Sequence, residues 1–421
     1  MNLLSLFSGI GAFEKALDNE GIKYNLVNYC EIDKYAAKAY CLIHNVSEEK
    51  NLKDVTKIET SELKEISLDL ITYGFPCQDI SSAGLQRGFT DSEGNLTRSG
   101  LFFEALRIIK DTQPKFAIAE NVKALTFKKF ENEFKTVLTE LDNAGYNNYY
   151  KILNAKDFGI PQNRERIFIV SIRKDIDIGF FKFPKPQPLK LRLKDLLQKD
   201  VDPKFYLNDA QVKRIYTTTY IQAQRRIQDP ESCCFTLCAR DYKDPLCVPV
   251  QEPTDKIIQV GNTVPPRKGF DNPQEGRIYD PQGLSPTLNT RGGNRGGYII
   301  EPKERFFKQA LETLNNNDCK VGDTIDAYNK RVNKTGICPT LTTRPEGFKT
   351  AILPVVQDIK IRKLTPTECW RLMGFEDQDV QKCIDAGISN AQLYKMAGNS
   401  IVVTVLQEIL KNLFKNKYVE E

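Results

Sequence analysis

Phe7-Ser8-Gly9-Ile10-Gly11 follows the apolar run Leu3-Leu4-Ser5-Leu6, and together they read as a β-strand passing through a glycine-rich turn into a helix. Two later stretches repeat the pattern with other chemistry at their ends. Asp69-Leu70-Ile71-Thr72-Tyr73-Gly74-Phe75 leads into Pro76-Cys77-Gln78, and the apolar stretch from Phe116 ends in Glu120-Asn121-Val122. A ligand cradle, a thiol and a carboxylate all fall at strand ends. In an open α/β sheet those ends line one crevice, where ligands bind.

Strands are predicted at Leu3–Leu6, Leu26–Cys30, Leu68–Tyr73, Phe116–Ala119, Asn148–Leu153 and Arg166–Ile172. Helical patterns lie between them, for example Phe13–Asn19 closed by Gly21, Lys34 to Asn45, and Phe130–Asn143 closed by Gly145. Such alternation predicts an α/β fold with a mostly parallel sheet, helices on both faces and right-handed crossovers. From Phe183-Pro184-Lys185-Pro186-Gln187-Pro188 the chain turns rich in Pro, Gly, Asn and Thr, which places a boundary near residue 180. Regular structure is expected to return at Lys360-Ile361-Arg362-Lys363-Leu364, and Leu393–Leu413 has the apolar periodicity of a packed helix. The domain reading is therefore 1–178, an irregular β-rich segment over 179–354, and a returning segment over 355–421.

With 421 residues the chain is long enough for two domains and a substantial core. No apolar run approaches the length of a membrane span, and the N-terminus lacks the pattern of a signal peptide. Eleven irregularly spaced cysteines suit free thiols in a reducing cytoplasm better than a disulfide scaffold. The single histidine, His44, falls in a helical pattern and reads as a packed or solvated helix residue. That count excludes zinc sites built on several histidines. Residues 173–350 hold about 30 basic and 22 acidic side chains, a net of about +8 against about −3 elsewhere, which points to a polyanion partner.

The middle segment contains an internal repeat, with copies near 226–244, 277–295 and 331–348. Cys234-Phe235-Thr236-Leu237, Ser285-Pro286-Thr287-Leu288 and Cys338-Pro339-Thr340-Leu341 align, and each is followed by an arginine: Arg240, Arg291 and Arg344. Each copy reads as a short β unit used several times. The plain structural account has Thr-Leu filling a core and the arginine capping a turn.

The chemistry can be read residue by residue. Gly9 and Gly11 let backbone approach a ligand, although the turn lacks the third glycine of the dinucleotide fingerprint. Glu31, after the second strand, is placed to bond a ribose hydroxyl, Ile32 to flank an adenine face, and Asp54-Val55 to hold the adenine edge. Cys77, between Pro76 and Gln78, is presented rather than packed. With no histidine at hand its thiolate needs backbone dipoles or an arginine, and Arg164 and Arg166 are the candidates. Glu120 can donate a hydrogen bond when protonated. These parts suit attack of a thiolate on carbon 6 of an extruded cytosine, with Glu120 assisting at nitrogen 3 and carbon 5 then accepting a methyl group.

At both ends, about residues 1–178 and 355–421, the chain resembles the DNA (cytosine-5)-methyltransferases of bacterial and phage restriction-modification type. Phe7 to Gly11 resembles their S-adenosylmethionine loop, Gly74-Phe75-Pro76-Cys77-Gln78 the nucleophile motif, Glu120-Asn121-Val122 the cytosine-binding motif, and Gln162-Asn163-Arg164-Glu165-Arg166 the arginine motif. Arg362 to Phe375 resembles the motif that organises the recognition domain, and Gly398-Asn399-Ser400 the last motif. The resemblance implies a Rossmann-like S-adenosylmethionine-dependent methyltransferase domain and a target recognition domain in the basic repeat segment. It puts Phe7, Gly9, Gly11, Pro76, Asn399 and Ser400 on the cofactor side. Gln78, Ser81 and Arg98 fall on duplex DNA, with Ser81 to Arg98 as a closing loop hinged at Gly84, Gly88 and Gly94. Tyr73 and Asp79 depart from the smaller or less charged residues expected beside the nucleophile.

Three rival readings have some support in the chain. Cys234-Phe235-Thr236 echoes a tripeptide of tRNA cytosine-5 methyltransferases, but its place in the repeat makes chance the better account. A catalytically silent DNA-binding protein on this scaffold is opposed by the intact Cys77 and Glu120. A zinc module on Cys233, Cys234, Cys238 and Cys247 has the wrong spacing, so no metal is expected. The reading is a cytoplasmic monomer acting on a specific duplex sequence. Neither that sequence nor a cognate restriction endonuclease is legible in the chain.

Overall fold

In the computed structural model the six predicted strands form one sheet. The structure describes residues 1–76, 89, 98–179, 181–208, 211, 227–228, 230, 232–243, 245–251, 259–262, 277–279, 298–299, 324–326, 331–333, 352–354 and 359–415. Strands β1 (Asn2–Leu6), β2 (Asn25–Cys30), β3 (Leu70–Tyr73), β4 (Phe116–Val122), β5 (Tyr146–Asn154) and β6 (Glu165–Arg173) are ordered β2-β1-β3-β4-β6-β5. Pairing is parallel from β2 to β4, and β6 runs antiparallel to both its neighbours. Helices α1 (Ala12–Asn19), α2 (Lys34–His44), α3 (Phe102–Thr112) and α4 (Glu131–Asn143) fill the connections. Gly21 and Gly145, read as helix ends, stand just past α1 and α4 with φ of +66° and +98°, a left-handed backbone that glycine adopts without a Cβ penalty.

Both faces of the sheet are covered, as parallel strands require. Alternate residues Leu4, Leu6, Ile71, Ala117, Ala119, Ile167 and Ile169 join one core cluster with Leu106 and Ile109 of α3 and Val137 and Leu141 of α4. Their neighbours Leu3, Leu70, Ile118 and Val170 are buried on the opposite face. Phe116 meets Phe414 edge-on at 5.2 Å, so the C-terminal segment returns to this sheet.

The returning segment folds as α5 (Pro366–Arg371), α6 (Asp377–Asp385), α7 (Asn390–Asn399) and α8 (Val403–Leu410). The single helix expected over Leu393–Leu413 is thus two, broken at Ser400, whose ψ of 164° is extended. The break has a tertiary cause, because the Ser400 carbonyl accepts a bond from Arg164 instead of continuing the helix. Ahead of α5, Arg362 and Glu368 form a bidentate buried pair at 2.9 and 2.7 Å, and Glu368 also accepts the Thr365 and Gln198 N–H groups.

By packing, Met1–Pro249 with Ile361–Glu421 forms one compact unit and Val250–Lys360 another. Composition changes near residue 180, but packing divides later, because Leu193, Cys234, Leu237, Cys247 and Val248 are buried within the first unit. Among the described residues the second unit carries two three-stranded sheets. One is built from Gln259–Asn262, Arg277–Tyr279 and Tyr298–Ile299, the other from Thr324–Asp326, Arg331–Asn333 and Ile352–Pro354. The first repeat copy therefore lies in the first unit, and the other two fall in the second.

Candidate active site at the strand ends

Register brings the loops to one rim. Leu6 stands opposite both Cys30 and Tyr73, and Tyr73 opposite Ala119, so β1 to β4 end near the same level. The chain leaves β1 toward β2 on one side and returns as β3 on the other. The glycine-rich loop and the segment leading to Cys77 thus flank the topological switch point, where such sheets bind ligands.

The loop after β1 is braced from within. Phe7, Gly9 and Gly11 have φ of +52°, +57° and +78°. The Ser8 N–H donates to the Cys30 carbonyl at 3.0 Å and its hydroxyl to the Ser5 carbonyl at 2.9 Å. Gly9 N–H donates to Glu31 Oε2 at 2.8 Å, and the other carboxylate oxygen accepts the Asp33 N–H at 2.7 Å. Burial pushes the Glu31 carboxyl up from its ordinary pKa, opposed by those two N–H groups. Glu31 is therefore a brace of the loop as well as the expected ribose acid.

The loop is open at Gly9. A Cβ built on Gly9 would meet nothing within 4 Å, and Ile32 is 75% exposed. An open cradle, an acid at the end of β2 and an exposed apolar side chain fit S-adenosylmethionine. Asp54 caps a short turn, accepting the Thr56 N–H and hydroxyl at 3.1 and 2.8 Å. The Val55 side chain is buried in the core cluster, which leaves its backbone as the part able to meet an adenine.

Glu120 is the chemical centre that the described residues provide. Its Oε1 lies 3.0 Å from Arg166 Nε, and Oε2 would stand 3.7 Å from a Cβ on Gly74. Arg166 pairs in register with Val122, so it sits diagonally from Glu120 on the same face of the antiparallel β4–β6 pair. Burial raises the Glu120 carboxyl above its ordinary pKa even though Arg166 and Arg164 pull it down. The next residue, Asn121, is buried and donates to the Phe75 carbonyl at 3.1 Å, which ties the end of β4 to the backbone running into Pro76. Cys77, Gln78 and Ser81 lie outside the described residues, as do Arg291 and Arg344. Within the span read as a closing loop, Phe89 is seated against Phe102 and Phe103, and Arg98 opens the turn Arg98–Leu101. Burial also raises the thiol pKa of Cys30, Cys234, Cys369 and Cys383, so none of these four favours a thiolate.

The two arginines of Gln162 to Arg166 do different things. Arg166 faces Glu120, whereas the buried Arg164 donates to the carbonyls of Leu237 at 2.9 Å, Gly398 at 3.2 Å and Ser400 at 2.7 Å. Gln162 joins the same hub, donating to the Leu372 carbonyl at 2.8 Å and accepting the Leu237 N–H at 3.3 Å. A Cβ on Gly398 would come within 2.2 Å of Cys238 backbone, so α7 crosses the turn Ala239–Tyr242 at a glycine. Arg240 is exposed on that turn. Asn399 is exposed beside it, and Ile401 brings the C-terminal segment to Gly74, its Cδ1 3.6 Å from where a Cβ would stand. Lys395 Nζ reaches Asp33 at 2.5 Å, just past Glu31 and Ile32. The roles of Asn121 and Arg164 as ties were missed from the sequence. The alternation Gln162, Arg164, Arg166, which leads into β6, was the available signal.

Comparison with known proteins points one way. Residues 1–415 match the family model described as C-5 cytosine-specific DNA methylase. The chain is 35% identical to the orphan methyltransferase M.SPRI of Bacillus phage SPR, across 98% of this chain and 97% of that protein. It is 29% identical to the type II methyltransferase M.HhaI of Haemophilus parahaemolyticus, across 98% and 94%. Its fold is similar to the S. pombe Dnmt2 methyltransferase (TM-score 0.56, 17% identity, 99% and 98% covered). It is also similar to the Entamoeba histolytica methyltransferase EhMeth (TM-score 0.60, 16% identity, 100% and 99% covered).

Proposed function

The chain belongs to the C-5 cytosine-specific DNA methylase family, and from that membership we propose that it methylates a flipped-out cytosine in a specific duplex sequence through a transient Cys77–carbon 6 bond. Its enzyme class is DNA methyltransferase, and the family's methyl donor is S-adenosylmethionine. When bound, that cofactor supplies an electrophilic methyl group on a sulfonium. The open space at Gly9, the Glu31 carboxylate and the exposed Ile32 are the residues that would hold it.

The observation that carries the reading is Glu120, half-buried beside Gly74 with Arg166 at 3.0 Å, on a strand end tied by Asn121 to the backbone that leads to Cys77. Addition of the Cys77 thiolate to carbon 6 makes carbon 5 an enamine carbon. The electron density that this pushes toward nitrogen 3 is met by a proton held on Glu120, whose burial favours the protonated form. Arg166 fixes the carboxyl's orientation. Loss of the carbon 5 proton to a base or water then expels the thiolate. A cytosine stacked in a duplex is out of reach of these groups, which is why the base must leave the helix.

Recognition falls to residues 179–354. Arg240, Arg291 and Arg344 contact base edges, and Gln78, Ser81 and Arg98 lie against DNA at the catalytic side. The enzyme acts as a cytoplasmic monomer. Among the described residues no helix is long and apolar enough to cross a membrane. The test is methyl transfer to duplex DNA by wild type and Cys77→Ala, with bisulfite sequencing to locate the product. The variant is expected to bind DNA and cofactor and transfer nothing. Turnover by Cys77→Ala, or a methyl group on an exocyclic nitrogen, would rule the covalent route out.

A further inference from the structure

His44 is the chain's one histidine, and the chemistry above leaves it without a role. It is the last residue of α2, with a side chain only 3% exposed, and it faces the glycine-rich loop. Its Nε2 lies 3.1 Å from the Ile10 carbonyl and its Nδ1 3.9 Å from Asp18 Oδ2. The ring rests against Tyr40 at 4.8 Å between centroids. Tyr40 in turn stacks on Tyr29 at 4.0 Å and donates its hydroxyl to Glu14 of α1 at 2.8 Å. From the loop side the fit is as tight, since a Cβ on Gly11 would stand 2.1 Å from Nε2.

The Ile10–Gly11 peptide is thus engaged at both ends. Its N–H donates to the Ser8 carbonyl at 2.9 Å, and its carbonyl faces His44 Nε2. Leucine would fill the same space, but imidazole brings a donor to a carbonyl in a buried setting. Gly9 and Gly11 are conformationally permissive, and a directed bond to the peptide between Ile10 and Gly11 restricts that freedom.

Resting on the cofactor reading above, we infer that His44 is a positioning residue for S-adenosylmethionine: it donates from Nε2 to the Ile10 carbonyl and holds the loop in its receiving form. The loop then loses little freedom when the cofactor arrives, which appears as affinity. His44 contacts no reacting atom, so its effect is confined to cofactor binding.

Calorimetric titration of the full chain with S-adenosylmethionine tests this in wild type, His44→Leu, His44→Asn and His44→Gln. A glutamine amide nitrogen reaches the place of Nε2, while asparagine reaches only that of Nδ1. His44→Leu and His44→Asn are expected to weaken binding about 10-fold, the factor one ordinary hydrogen bond converts to, and His44→Gln by no more than about 3-fold. KM for DNA and kcat at saturating cofactor should hold in all three. Unchanged affinity in every variant overturns the inference. Equal loss in all three that follows their urea midpoints also overturns it, because packing alone then explains the residue. Wild-type chain that takes up no S-adenosylmethionine would instead sink the cofactor reading on which the inference stands.

Discussion

At Glu120 desolvation raises the carboxyl pKa while a paired arginine pulls it down, and that balance can be measured. Its folded carboxyl keeps the proton to higher pH than the unfolded one, whose ordinary value is 4.5. The contribution to stability is therefore full at low pH and is lost as pH rises from the ordinary value through the raised one. Glu120→Gln removes the titration. Urea unfolding at a series of pH values should show the stability of wild type relative to the variant falling across that window and levelling above it. The same variant should lower kcat by about 10²–10⁴-fold, the usual range for a lost general acid. Arg164 and Arg166 should separate in the same assays. Arg164→Ala leaves three carbonyls without their donor and is expected to cost about 3 kcal/mol in urea unfolding. Arg166→Ala should lower kcat by roughly 10²-fold with a smaller loss of stability, since it removes the Glu120 contact and one exposed bond to the Glu165 carbonyl. A sequence reader sees two arginines two residues apart and gives them one job. Only the carbonyls that come back from residues 237, 398 and 400 tell them apart.

At the scale of elements, α7 is defined by what it crosses. Gly398 lies against the backbone of Cys238 and Ala239 at distances of 2.2 to 2.4 Å from a would-be Cβ, and backbone cannot yield as a side-chain tip can. Gly398→Ala should destabilise by about 1–3 kcal/mol or more, read as a lower urea midpoint at unchanged m-value. An alanine variant as stable as wild type would mean the turn moves freely. The apolar period of Leu393–Leu413 was legible, but the break inside it was not, because helical propensity says nothing of an arginine that captures the Ser400 carbonyl. Strand positions fared better. Six predicted runs became the six strands of the sheet, and for β1, β3 and β4 the reason is that parallel strands covered on both faces must be apolar along most of their length.

For the whole molecule, charge and packing follow different boundaries. The positive excess spans about residues 173–350, while packing assigns residues up to Pro249 to the first unit. DNA affinity should carry the signature of that excess. The binding constant for duplex DNA is expected to fall about 10³–10⁵-fold between roughly 50 and 200 mM salt, as 6–10 phosphate contacts imply. Replacing one phosphate-contacting lysine or arginine in the segment should flatten the logarithmic slope by about 1. A salt-insensitive affinity would contradict the polyanion reading.

The amino-acid order alone determined the class of sheet, the strand ends that carry function, and the residue types gathered there. Local pattern suffices for these, since burial on a parallel sheet and glycine at left-handed turns leave marks a few residues long. Tertiary structure decided what those marks do not reach. It set Arg166 rather than Arg164 on Glu120, ended α7 at Ser400, joined Asn121 to Phe75, and placed the lone histidine under the cofactor loop. Each of these rests on a hydrogen bond between segments that are tens to hundreds of residues apart or on different elements. Partners of that kind are chosen by how the sheet and its returning helices pack, and not by any neighbour along the chain.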